Sequence, residues 1–298
     1  MINQNPKQKM NEIDISTISW SQLDKLKLEL EALRPEDVFL KTILEGAMRV
    51  ACDKENPIRG NLLASALREL VGHVLHELAP DTEVRKCAWF VQAKDSATIT
   101  RRQRAEYIIR AGLPNDFVDE ELKINLSDEA KPLIKAVEDL NRSTHVREET
   151  IVFKGQDVRF MFNRILHGLL NLLKIAQNSR AQLKETIADV IHHAIFENLI
   201  SDAIQELDEI STHTIIDGHY IDAIVVRTLN ATEIQYVVAG EVEVELQYGS
   251  NSDVRNDNGF RKDDSYPYTA VVNSNPAKPM EIRPNEVTLQ VDNSSFYE

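Results

Sequence analysis

Arg68-Glu69-Leu70-Val71-Gly72-His73 sets a guanidinium and an imidazole five positions apart. They sit in a stretch, Ile58 to Leu78, whose apolar residues recur at steps of four, the spacing of a buried helix face. Arginine can stabilise an oxyanion and histidine can move a proton near neutral pH, so the pair could cleave a phosphodiester without a metal. On an ideal helix Arg68 and His73 diverge by about 140°, while His76 lies about 80° from Arg68. Asn61, Ser65, Arg68, Gly72 and His76 then form a polar, small-residue seam opposite the apolar face. Arg68, His73 and His76 are therefore the candidate catalytic residues. A structural reading of the seam stands beside this one: Ser65 and Gly72 admit a neighbouring helix, and Arg68 pairs with a carboxylate.

His213, Asp217, His219 and Asp222 make a second constellation, followed by Glu241, Glu243 and Glu245. Carboxylates on adjacent strands could hold Mg²⁺ for phosphodiester hydrolysis, with Asp217 and Asp222 as the metal candidates. A restriction-type core wants an acidic residue followed two positions later by lysine, and here Glu243 is followed by Glu245. Strict alternation with Val242, Val244 and Leu246 also reads simply as the wet side of a strand. His192-His193 lies beside Ile191, Ile195 and Phe196, which predicts one buried, hydrogen-bonded ring. The stretch from Asn251 to Asn258 lacks the ligand spacing of a calcium loop. No phosphate-binding loop, dinucleotide fingerprint or nucleophile elbow occurs, which disfavours nucleotide-driven motors, dinucleotide oxidoreductases and α/β-hydrolases.

These residues depend on two kinds of element, and the periodicity changes near residue 211. Upstream, helices are expected from Ser21, around Val38–Met48, from Asn56-Pro57 to Leu78, from Thr98 to Ala111, and after Ser127-Asp128-Glu129. Two long helices should cover 157–178 and 181–209. Asn56 as cap and Pro57 at the first helical position would open the third, and Gly112 with Pro114 would close the fourth. Downstream, Gly240 to Tyr248 alternates as a half-buried antiparallel strand does, and strands are expected near 213–227, 232–248, 267–273 and 286–292. Helices followed by strands argue an α+β fold: a flexible tail over 1–17, a helical module over 18–210 and an antiparallel β module over 211–298.

The net charge of −14 is uneven. Residues 201–298 hold 6 Lys+Arg and 18 Asp+Glu, leaving 28 and 30 in the first 200. Phosphate backbones are held by positive charge, so nucleic acid would meet the helical module and an acidic β module would dock a protein. Arg101-Arg102-Gln103-Arg104 with Arg110 reads either as a basic patch or as a solvated helix face. The richest apolar run, Ile165 to Ile175, is broken by His167, Asn171 and Lys174 and is too short to span a bilayer. Cys52 and Cys87 are the only cysteines. Widely separated and without a preceding secretory leader, they fit a reducing cytoplasm.

Two resemblances add to this reading. Arg68 and His73 resemble the short motif of HEPN-type helical ribonucleases. The run Gly240-Glu241-Val242-Glu243-Val244-Glu245-Leu246-Gln247-Tyr248-Gly249-Ser250-Asn251-Ser252-Asp253, then Ser265-Tyr266-Pro267-Tyr268 and the closing Ser294-Ser295-Phe296-Tyr297-Glu298, resembles bacterial proteins with a predicted pPIWI-associating nuclease module. Asn56-Pro57 through Pro80 is similar to the helical segment that precedes that module. The resemblance implies a nuclease-like protein of a prokaryotic conflict system acting on foreign nucleic acid, and supplies no catalytic set. The competing class is a non-catalytic sensor or adaptor that forms homo-oligomers through its helices. Exposed Tyr248, Tyr266, Tyr268 or Phe296 would favour that class, because aromatics anchor interfaces.

Overall fold

The computed structural model describes residues 18–152, 154–201 and 203–298; the expected tail over 1–17 lies outside them. Helix α1 (Trp20–Leu33) opens on a capping box in which the Ser19 hydroxyl accepts from the Gln22 N–H and the Gln22 amide accepts from the Ser19 N–H, satisfying two otherwise orphaned donors. Asp37 caps α2 (Val38–Cys52) by accepting from the Leu40 N–H at 2.9 Å. Asn56 instead turns the chain by accepting from the Ile58 N–H, so α3 (Arg59–Leu78) opens two residues after Pro57. On α3, Leu63, Leu67, Leu70 and Val74 are fully buried, whereas Leu78 is half-buried.

Short helices α4 (Asp81–Val84) and α5 (Arg101–Arg110) follow, then α6 (Leu126–Ser143). The two long helices expected over 157–178 and 181–209 are one: α7 (Gly155–Ser201) runs for 47 residues. Asn178-Ser179-Arg180 contains no proline or glycine to stop it, Ser179 is fully buried, and the Arg180 guanidinium donates back to the Ala176 carbonyl. A further short helix, α8 (Gln205–Asp208), leads into the strands.

The fold is α+β, with helices giving way to a four-stranded antiparallel meander in the order β1-β2-β3-β4. The strands are β1 (His213–Leu229), β2 (Ile234–Tyr248), β3 (Phe260–Ser274) and β4 (Val287–Val291), with α9 (Asn251–Arg255) in the β2–β3 connection. Val242, Val244 and Leu246 are buried; Glu241 is exposed and Glu243 and Glu245 are half-exposed, the register the alternation predicts. Tyr236, Val238, Tyr266, Ala270 and Val272 fill the same face.

The chain divides into two compact units. A helical unit takes in the described residues up to Leu78 together with Ser127–Lys174, and a sheet-bearing unit takes in Ala79–Leu126 and Ile175–Glu298. The first stretches (1–78 and 127–174) hold 18 Lys+Arg and 19 Asp+Glu, leaving 16 and 29 for the others. Almost the whole acidic excess thus belongs to the sheet-bearing unit.

Candidate nucleic-acid interface

Of the three catalytic candidates on α3, His73 is the one held by a carboxylate. Its Nε2 stands 2.9 and 3.0 Å from the two Asp37 oxygens, and its ring lies 4.7 Å from that of Phe39. Arg34 reaches the same carboxylate at 3.1 Å. Burial pushes the Asp37 carboxyl up, but the Leu40 N–H, His73 and Arg34 outweigh it and hold the group below its ordinary value. With Nε2–H given to Asp37, Nδ1 of a neutral His73 is the basic nitrogen. Arg68 is 40% exposed, and its Nε lies 3.9 Å from the exposed Glu69. Its carboxylate neighbour is thus exposed, and among the described residues no buried carboxylate pairs with it. His76 is exposed.

The seam on α3 is not a helix-packing groove. A Cβ at Gly72 would meet nothing within 4 Å, and the Ser65 hydroxyl donates to the Asn61 carbonyl of its own helix. The close approach is at the N-terminal end of α3, where a Cβ on Gly60 would come 2.6 Å from the Val152 Cβ. Next to it Asn61, 1% exposed, donates to the carbonyls of Ser143 and Thr150 at 2.9 Å each and accepts from the Val152 N–H at 3.4 Å. Gly60 and Asn61 thereby fix the connection between α6 and α7 against α3.

That connection walls a cleft of about 540 Å³. Leu140, Ile151, Val152, Phe160 and Met161 form its apolar lining; Arg142, Lys154 and Arg164 bring three positive charges against the two carboxylates of Asp139 and Asp157. Arg164 pairs with Asp139 at 2.6 Å, while Arg142 and Lys154 are exposed. An apolar floor with an aromatic ring and a rim whose cations exceed its carboxylates by one could take a nucleic-acid strand, bases inward and phosphates on Arg142 and Lys154. Sequence reading passed over this site. A faint signal was there: residues 130–165 carry seven Lys+Arg and five Asp+Glu in a chain whose net charge is −14.

The sheet-bearing unit spaces the metal candidates regularly. β1 pairs with β2 through three bulges, at Asp217, Asp222 and Arg227, each the residue skipped between Ile216/Gly218, Ile221/Ala223 and Val226/Thr228. Asp217, Asp222 and His213 are exposed. Among the described residues no group of three or more His, Cys, Asp and Glu is arranged to hold a metal ion. The donors present among the described residues do not make a closed Mg²⁺ site.

His219 does something else. It is 4% exposed, its Nε2 donates to the His192 carbonyl at 3.1 Å, and its Nδ1 accepts from the Tyr268 hydroxyl at 2.9 Å. Burial, then the neighbouring His192, hold its imidazole below the ordinary value against the carbonyl bond. Gly240 makes room for this arrangement, since a Cβ there would lie 2.6 Å from the Tyr268 hydroxyl. The ring expected to be buried in His192-His193 is therefore replaced by His219: both helix histidines are exposed, and His192 stacks over His219 at 4.1 Å.

The arginine-rich start of α5 is neither patch nor solvated face throughout. Arg101 and Arg102 are exposed, but Arg104 and Arg110 are 3% and 2% exposed. Arg104 donates to the Ala79 carbonyl and the Asp81 carboxylate. Arg110 lies 3.8 Å over the Trp89 ring, and burial pulls its guanidinium down to about 10. A buried arginine is legible only from the partners that satisfy it. Tyr266 and Tyr268 are likewise core residues; Phe296 is exposed and Tyr248 is half-exposed.

Two family models, each described as a predicted pPIWI-associating nuclease, match residues 30–169 and 176–297. The chain belongs to this family. The two matches meet inside α7, within a few residues of the point, between Lys174 and Ile175, where one compact unit gives way to the other. No curated protein and no solved structure matches the chain. No helix among the described residues is long and apolar enough to cross a membrane.

Proposed function

We propose that this pPIWI-associating nuclease family member is a nuclease-like protein of a prokaryotic conflict system, working in the cytoplasm on nucleic acid held by its helical unit. The observation that carries the reading is the pair of family matches over 30–169 and 176–297. The charge split supports it, because the cationic cleft lies in the unit that escapes the acidic excess, and a phosphate backbone needs such a surface. In this reading Arg68 meets the charge that develops on a phosphate, and His73 and His76 move protons. Asp37 orients His73. The test is incubation of purified protein with end-labelled RNA and DNA in Mg²⁺, Mn²⁺ or EDTA. Cleavage lost in His76→Ala at unchanged melting temperature is expected. Absence of cleavage under every condition would end the enzymatic reading.

A specific observation favours a second reading, a sensor or adaptor that docks a protein. Ile215, Tyr220 and Val225 are 39%, 60% and 58% exposed and recur every five residues along the edge strand β1, in step with its bulges. Exposed apolar residues beside the acidic Glu241 and Glu243 have the composition of an interface.

A further inference from the structure

We propose that Arg59 and Arg159 form a phosphate-binding site beside the first turn of α7, one that takes a backbone phosphate of a nucleic-acid strand. The identity of the strand rests on the nuclease-like reading above; the anion site rests on the residues themselves. Gly155 opens α7, and a Cβ built on it would lie 3.3 Å from Arg59 Nη2 and 3.6 Å from Arg159 Nη1. Two guanidinium ends are thus held less than about 7 Å apart, a distance at which like charges repel.

Nothing in the described residues relieves that repulsion. Neither guanidinium has a carboxylate within 4.0 Å. Arg59 has a long contact to the Ala51 carbonyl at 3.5 Å, and Arg159 lies 5.8 Å from the Trp20 ring. The Arg159 Nε is buried with no hydrogen-bond partner. Arg59 and Arg159 are half-buried, whereas the fully buried Arg104 and Arg110 are given the carboxylates of Asp81 and Glu106, although the Arg110 Nε also lacks a hydrogen-bond partner. A pair of converging cations left without an anion is a site for one.

A phosphate fits this pair in chemistry. Guanidinium forks match phosphate oxygens two at a time. The missing side chain at Gly155 lets an oxygen approach the N–H groups of the α7 first turn, which add to the guanidiniums and do not replace them. Continuity with the cleft argues for a strand: Lys154, the residue before Gly155, lines it together with Arg142, Arg164 and the Phe160 ring. A phosphate at Arg59 and Arg159 would anchor one position, with Lys154 and Arg142 next along the backbone and a base on Phe160.

The test is fluorescence anisotropy of labelled single-stranded RNA and DNA oligonucleotides on the full chain, over a salt series, with melting curves in inorganic phosphate alongside. Arg59→Gln with Arg159→Gln should weaken strand binding at least tenfold and flatten the salt dependence, since fewer phosphates are neutralised. Arg59→Lys with Arg159→Lys should recover part of the affinity, which a folding defect would not explain, and Lys278→Gln in the sheet-bearing unit should leave it unchanged. A strand that binds wild type and the glutamine pair equally overturns the site while sparing the nuclease-like reading. If no strand binds but phosphate raises the melting temperature of wild type only, the site serves a free anion, and both the strand assignment and the reading it rests on fall. No strand binding and no phosphate effect overturns the site itself.

Discussion

Gly60 faces Val152 across a gap no side chain can enter: a Cβ would stand 2.6 Å from the valine Cβ and 2.8 Å from its carbonyl oxygen. In an open helix, alanine would be favoured over glycine by about 1 kcal/mol. Here overpacking opposes that gain with about 1–3 kcal/mol, because the obstacle is backbone as well as side chain. Gly60→Ala should therefore lower the denaturant midpoint, and it should displace Ile151 and Val152 from the cleft wall. A variant as stable as wild type would show that the α6–α7 connection is free to shift.

Asn61 gives the same connection its direction. Its amide donates to Ser143 and Thr150, so Asn61→Ala leaves two carbonyls short of a partner at a cost of about 1–3 kcal/mol. Asn61→Asp should be worse despite its equal size, because a carboxylate presents acceptors where two donors stood. Urea unfolding of both variants checks the order; an aspartate variant at least as stable as the alanine one would mean that the carbonyls find water instead.

How much of this was readable beforehand follows from where the determinants sit. Alternation along Gly240–Tyr248 specified which residues of β2 face inward, since a strand's two faces are written two residues apart. The leucines of α3 were equally plain. The continuity of α7 was not, because Asn178-Ser179-Arg180 is polar locally and only tertiary burial of Ser179 reveals its role. Arg104 and Arg110 read as surface charge because Asp81, Glu106, Trp89 and Asn115, which accommodate them, are recognisable as partners only in the fold. The Arg59–Arg159 pair joins segments a hundred positions apart, beyond any local spacing rule, and the cleft closes only when α6 folds back on the start of α7. Asp217 and Asp222 were singled out as ligands, and their regular spacing proved to coincide with the bulges of an edge strand, a common device at sheet edges.

His219 predicts a pH dependence. Its imidazole titrates lower in the folded chain than the ordinary value of about 6.5. Below that value the unfolded chain takes up a proton that the folded chain resists, so stability is full above about pH 6.5 and declines as the pH falls. Protonation at Nδ1 also removes the acceptor of the Tyr268 hydroxyl, which could then turn to the Tyr220 carbonyl at 3.3 Å. His219→Gln, which offers a donor and an acceptor but does not titrate, should lose less melting temperature than wild type between pH 7 and pH 5. Parallel pH profiles would remove His219 from the account.

The last prediction separates chemistry from architecture on α3. His73→Ala is a poor probe, because it removes one partner of the Asp37 carboxylate, whose side chain is 7% exposed, and leaves only Arg34 and the Leu40 N–H to hold it. Asp37→Asn is better: it keeps the shape, leaves His73 in place and removes the charge that orients it. If His73 is a proton-transfer group, this variant should cleave more slowly at saturating substrate, with its pH–rate profile displaced and KM little changed. Arg68→Gln and His76→Ala alter exposed or half-exposed groups, so their melting temperatures should stay within a few degrees of wild type while cleavage falls at least a hundredfold. Loss of stability in Asp37→Asn with an unmoved pH profile would make the Asp37–His73 contact a clasp between the start of α2 and α3. Unchanged cleavage in the other two would then remove α3 from the chemistry altogether.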